Sequence, residues 1–220
     1  MLLSKDALGL LSLAITAAAY TLYIWQTARD KDIQPHPVSW FLFGLATTVA
    51  FLAQWVRGGG PGSWVTAITA LVCFVISGLS FFKYEWTFSW SDGVSASFTS
   101  IAVIFFLSAK NPMYAAVFAT SADIAGYYPT IKKGWHKPLN DSVTSFALNS
   151  AKFIPALFAL ESYSLATWLY PAVLVMMNFA VAAGLLVRRK QFMFPEAAWS
   201  PRIGWLCWVA DWRQIAVPAS

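Results

Sequence analysis

The sequence predicts an all-α integral membrane protein: seven transmembrane helices, built as two parallel three-helix units joined by a linker helix (3+1+3). Three observations predict it. Hydrophobic residues make up 58% of the 220 residues, charged residues only 11%, and mean hydropathy is +0.57. Seven apolar stretches reach or approach the roughly 20 residues that cross a hydrocarbon core. The order of features in the first half also recurs in the second. A soluble domain is about 45–50% apolar and about 25% charged. This chain has too few charges to cover a water-exposed surface, which argues against a soluble enzyme domain, a disordered chain or a nucleic-acid binder.

The stretches run, in order, over residues 7–25, 38–56, 64–82, 94–109, 113–131, 143–160 and 166–187. The first is expected to be a retained helix and not a cleaved leader. Lys5 is followed at once by Asp6, and the apolar run outlasts a signal-peptide core. Pro35 and Pro37 set off the second, and the glycine-rich turn at 58–62 sets off the third. The fourth is the shortest. The expected division is residues 1–90 for the first unit, 91–111 for the linker helix, 112–190 for the second unit and 191–220 for a tail.

Basic residues then fix an expected orientation. Arg29, Lys31, Lys83, Lys132, Lys133, Lys137, Arg188, Arg189 and Lys190 fall at one end of the predicted bundle, and Lys5, Arg57 and Lys110 at the other. The positive-inside rule puts the first set in the cytoplasm, the N-terminus outside and the C-terminus inside. The net charge of +5 and pI near 9.3 therefore report topology more than an acidic partner. Trp25, Trp40, Trp64, Trp86, Trp90 and Trp135 fall near helix ends, where aromatic residues anchor to the interface. The expected location is the inner (plasma) membrane of a bacterium.

The halves compare at a fixed offset of 105 residues. Tyr23 falls on Tyr128, Val38 on Val143, Ser39 on Thr144, Phe41 on Phe146 and Phe74 on Phe179. In each half a helix with an aromatic, polar end leads to a basic loop with proline. A helix opening Val-Ser/Thr-x-Phe follows, then a short loop and a third helix. Two units of the same orientation need one helix between them, and parallel repeats of this kind are a transporter architecture.

On the segment Tyr127-Tyr128-Pro129-Thr130-Ile131-Lys132-Lys133-Gly134-Trp135-His136-Lys137 with Ser142-Val143-Thr144, and on Tyr23-Ile24-Trp25-Gln26 with Pro37-Val38-Ser39-Trp40, the chain resembles the SWEET and PQ-loop family of small transporters. The family's Pro-Gln dipeptide is absent: Thr130 follows Pro129, and the first half carries Ile24-Trp25. The resemblance implies alternating access. It implies hinge prolines near the ends of the first two helices of each unit: Pro129 matches such a position, and Pro37 and Pro138 lie near one. Either of the latter two could equally be a helix starter. It also implies a substrate-facing asparagine in the last helix of each unit. Asn178 matches, while Cys73 stands at the partner position.

Ionisable residues at membrane depth cost about 2.5–3.5 kcal/mol on insertion scales, so they mark function by default. Asp123 lies twelve residues before Trp135 and Lys152 twelve after Asn140, each about 18 Å in from the basic end; Asn178 lies ten before Arg188, about 15 Å in. Asn149 and Thr120 precede Lys152 and Asp123 by three, on the same helix faces. Asp123, Lys152, Asn178, Asn149 and Thr120 thus form a candidate substrate cluster in the second half. Asp123 and Lys152 could instead be a structural ion pair locking two helices. Trp40 could stack on a flat ligand or sit in the aromatic belt. A proton on Asp123 could couple to transport.

The tail carries Trp199, Trp205, Trp208 and Trp212, and from Ile203 to Ile215 the apolar set Trp205, Leu206, Trp208, Val209, Trp212 and Ile215 falls at roughly helical spacing, which suits an interfacial helix or a partner contact. There is no glycine-rich phosphate loop, and His36 and His136 have no ligand-spaced neighbours. Cys73 and Cys207 are too few for a disulfide framework. No enzyme activity, metal, cofactor or nucleic acid is expected. The expected function is movement of a small polar solute (sugar, amino acid or similar) across the lipid bilayer, with a homo-oligomer or a membrane-complex partner through the tail. A non-transporting subunit of a larger membrane complex is the alternative.

Overall fold

The computed structural model describes residues 4–29, 35–83, 88, 90–108, 110–136 and 138–193. Among them are seven α-helices, two short 3-10 turns and no strand. The helices are α1 (Lys5–Arg29), α2 (Pro37–Val56), α3 (Trp64–Lys83), α4 (Trp90–Leu107), α5 (Pro112–His136), α6 (Val143–Phe158) and α7 (Leu165–Met193). The tryptophans expected of the tail lie outside the described residues.

Local chemistry sets the ends. Pro37 opens α2 at the first helical position, where its missing N–H costs nothing. His36 caps that helix by accepting from the Ser39 N–H at 3.3 Å, and Ser142 caps α6 by accepting from the Ser145 N–H at 3.2 Å. Between α2 and α3 the chain reverses through Gly58 and Gly60, at φ +70° and +58°, which glycine adopts without steric cost. Pro138 opens the 3-10 turn Pro138–Asn140. Pro129 lies within the continuous helix α5.

Packing inverts the soluble pattern. Much of the interior is small or polar: Ala19, Ala46, Ala50, Ala115, Ala119 and Ala156 are fully buried, beside Thr16, Thr47, Thr66 and Gln54. Large apolar side chains face outward, with Phe82 90%, Met176 69% and Phe179 66% exposed. Helices in lipid gain nothing by hiding leucine or phenylalanine from hydrocarbon. They associate through small residues and interhelical hydrogen bonds. Here Ser12 donates to Lys152 O at 2.7 Å, Ser77 to Pro37 O at 2.8 Å, and Ser95 to Ala122 O at 3.0 Å.

Four of the helices, α1, α2, α3 and α7, are long and apolar enough to cross a membrane. Seven full spans were expected, and three helices fall short for physical reasons. The apolar part of α4 covers only Asp92–Leu107, and α6 has 16 residues with Lys152 at its centre. At 25 residues α5 is long, but Asp123, Lys132, Lys133 and His136 lower its apolarity.

α3 packs between α1 and α2, and α7 packs between α5 and α6. Across the middle α1 lies against α6, and α2 against α5. α4 flanks α5 and α2. End contacts show alternation of helix direction. Lys5 donates to Leu160 O at 2.7 Å and the Glu161 N–H to Gly59 O at 3.3 Å at one end; at the other, the Arg188 guanidinium donates to Trp135 O at 3.1 Å and that of Arg189 to Asp141 O at 2.7 Å.

Candidate functional site

Between the helix sets α1–α3 and α5–α7 there is a cavity of about 350 Å³. That lies within the usual range of about 300–1,000 Å³ for small-molecule sites. Its walls come from six helices: Tyr20 and Tyr23 on α1, Trp40, Phe43 and Thr47 on α2, Thr69 and Cys73 on α3, Asp123 and Tyr127 on α5, Asn149 and Lys152 on α6, and Tyr170 and Asn178 on α7. It runs from these groups to Pro35, His36, Thr130, Asp141 and Ser142, at the end where the α1–α2 and α5–α6 connections lie. No residue of the α2–α3 or α6–α7 connections lines it.

Asp123 and Lys152 share the cavity but do not pair. α7 stands between α5 and α6, so the two side chains answer to different neighbours. Tyr170 donates to Asp123 Oδ2 at 2.6 Å. The Tyr170 proton being committed there, Thr47, at 2.7 Å from the Tyr170 oxygen, must be the donor of that contact. Asp123 Oδ1 is buried with no partner. Lys152 donates to the Tyr20 hydroxyl and to Thr69 Oγ1, both at 3.0 Å, and Thr69 passes its own proton to Val65 O at 2.7 Å. The Lys152 ammonium also lies 4.2 Å from the Tyr20 ring centroid and 5.0 Å from that of Phe153, where ring faces attract cations. An ammonium has three donors, so one remains.

Each charge thus has its own polar triad. Thr47, Tyr170 and Asp123 come from α2, α7 and α5; Lys152, Thr69 and Tyr20 come from α6, α3 and α1. Exchanging α1 with α5, α2 with α6 and α3 with α7 maps one set of helices onto the other. Each triad also crosses from one helix set to the other.

The remaining candidates divide. Asn149 and Asn178 line the cavity, and Asn178 spends one amide proton on Leu174 O at 2.8 Å. Thr120 is buried but does not line it, and its hydroxyl donates to Ala116 O at 2.7 Å. Trp40 lines it within an aromatic wall, with ring centroids 5.3 Å from Tyr23 and 6.1 Å from Phe43. Phe43 stands 6.2 Å from Tyr127 and over Gly126, so close that a β-carbon there would collide with its ring.

Sequence reasoning passed over Tyr20, Thr69 and Tyr170, which read as ordinary helix residues, and placed Tyr127 in the transporter-like segment without assigning it to the site. It also passed over Asp92, which is buried in the first turn of α4, accepts from the Ser39 hydroxyl at 2.6 Å and stands 3.9 Å from His36 at the cavity mouth. A helix-start Ser-Asp-Gly ahead of an apolar run was the available signal. No group of three or more metal-ligating side chains exists among the described residues. No protein-family model, curated protein or solved structure matches the chain.

Proposed function

We propose that the chain is an integral membrane transporter that moves a small polar solute by alternating access, with α1–α3 and α5–α7 as two parallel units and α4 as the linker. The observation that carries the reading is the cavity. It lies between the two helix sets, holds an unpaired buried carboxylate oxygen and a buried ammonium, and runs to one end only. A charged residue deep in a bundle and facing a cavity is costly, and such residues mark solute or ion paths.

The packing pattern supports the same reading. The contacts α1–α6 and α2–α5 exchange under a two-fold rotation relating the units, as do α3–α6 and α2–α7. Rocking such units about a central site is how repeat-built transporters expose it to alternate sides. By the basic-residue count the cavity faces the cytoplasm and the N-terminus lies outside.

Uptake by the purified chain in proteoliposomes tests this. Asp123→Asn and Asn178→Ala should abolish solute counterflow while eluting as folded particles. Normal transport by both variants sinks the proposal.

A further inference from the structure

We infer that the solute is a zwitterionic α-amino acid, its ammonium on Asp123 Oδ1 and its carboxylate on the Lys152 ammonium. This rests on the transporter reading above and names its substrate class. Buried charges need counter-charges. Asp123 and Lys152 are 4% and 1% exposed, face one cavity, and are not each other's partner. The donors around Asp123 leave Oδ1 orphaned, and the acceptors around Lys152 leave one ammonium proton over.

A ligand that repairs both must carry an ammonium and a carboxylate in one small molecule. A neutral sugar supplies neither charge. An amine or a carboxylic acid repairs one site and leaves the other exposed to desolvation. An α-amino acid carries both charged groups on one carbon and is neutral overall, matching a cavity with one group of each sign. The Tyr23–Trp40–Phe43 wall supplies apolar surface for its side chain, so leucine and phenylalanine are the probes of choice. Because each triad crosses between helix sets, an amino acid bridging Asp123 to Lys152 joins the two triads.

The full chain in detergent is titrated with L-leucine, L-phenylalanine, phenethylamine, 3-phenylpropionate and glucose. L-Phenylalanine is expected to bind, and each analogue lacking one charge to bind about a hundredfold weaker or worse, since a buried group built for a polar partner rejects the ligand without it. Asp123→Asn should erase the preference for phenylalanine over 3-phenylpropionate, a change in ranking that loss of fold does not produce. Lys152→Met should likewise erase the preference over phenethylamine. Binding of neither amino acid, or equal binding of phenylalanine and 3-phenylpropionate, overturns the assignment. Counterflow of glucose without amino acids also overturns it and leaves the transporter reading standing. Absence of counterflow for amino acids and glucose alike removes both.

Discussion

Tyr170 gives its hydroxyl proton to Asp123 across 2.6 Å and receives one from Thr47 across 2.7 Å. One phenol thereby joins α2, α7 and α5 around the buried carboxylate. Its ring packs edge-on against Phe153, 6.3 Å away. The position combines an apolar body with a polar tip that must find partners when buried.

Tyr170→Phe keeps the ring contact and removes the relay. Asp123 then has neither carboxylate oxygen satisfied by the protein, and Thr47 loses its acceptor. The expected cost is about 1–3 kcal/mol of unfolding free energy. Thr47→Val alone should cost less, and the double variant should lie well below the sum of the two, because all three groups form one network. Chemical denaturation in detergent measures the cycle. Strict additivity would break the relay into independent contacts.

The part of this architecture legible in the sequence is the part carried by one-dimensional signals. Hydropathy places seven helices, and helical rise puts Asp123, Lys152 and Asn178 at a common depth, from which they line one cavity. Partnership is not one-dimensional. Nothing in the spacing of Tyr20 and Thr69 says that α1 and α3 bring them to Lys152 on α6, because that depends on which helices become neighbours. An acid and a base at one depth suggest a pair until α7 is seen to lie between their helices. Thr120 lies at the same level but outside the cavity lining, its hydroxyl satisfied on the carbonyl four residues back.

Gly126 sets the width of the cavity. Phe43 occupies the space a side chain at 126 would take, so Gly126→Ala must push the Phe43 ring away from α5. The ring is the far end of a side chain and can move, and the variant should fold. The displaced ring changes the aromatic wall beside Trp40 and Tyr127. Transport of a large solute such as phenylalanine should fall more than that of alanine, read as a changed ratio of initial counterflow rates. An unchanged ratio would show that Phe43 does not contact solute.

Gln54 and Pro171 make a separable test of the packing between α2 and α7. Pro171 lies inside α7 and has no N–H for the carbonyl four residues back, that of Thr167. Gln54 Nε2 on α2 donates to that carbonyl at 3.1 Å. The glutamine is fully buried, so the bond replaces, from another helix, the one the proline removes. Gln54→Leu should leave Thr167 O orphaned at a cost of about 1–3 kcal/mol. Pro171→Ala restores an N–H within α7 and makes the glutamine redundant. Gln54→Leu should therefore be markedly less damaging in the Pro171→Ala background, with a coupling of about 1 kcal/mol or more. Denaturant unfolding of the four proteins reads this directly, and equal effects of Gln54→Leu in both backgrounds would show that the amide serves some other group.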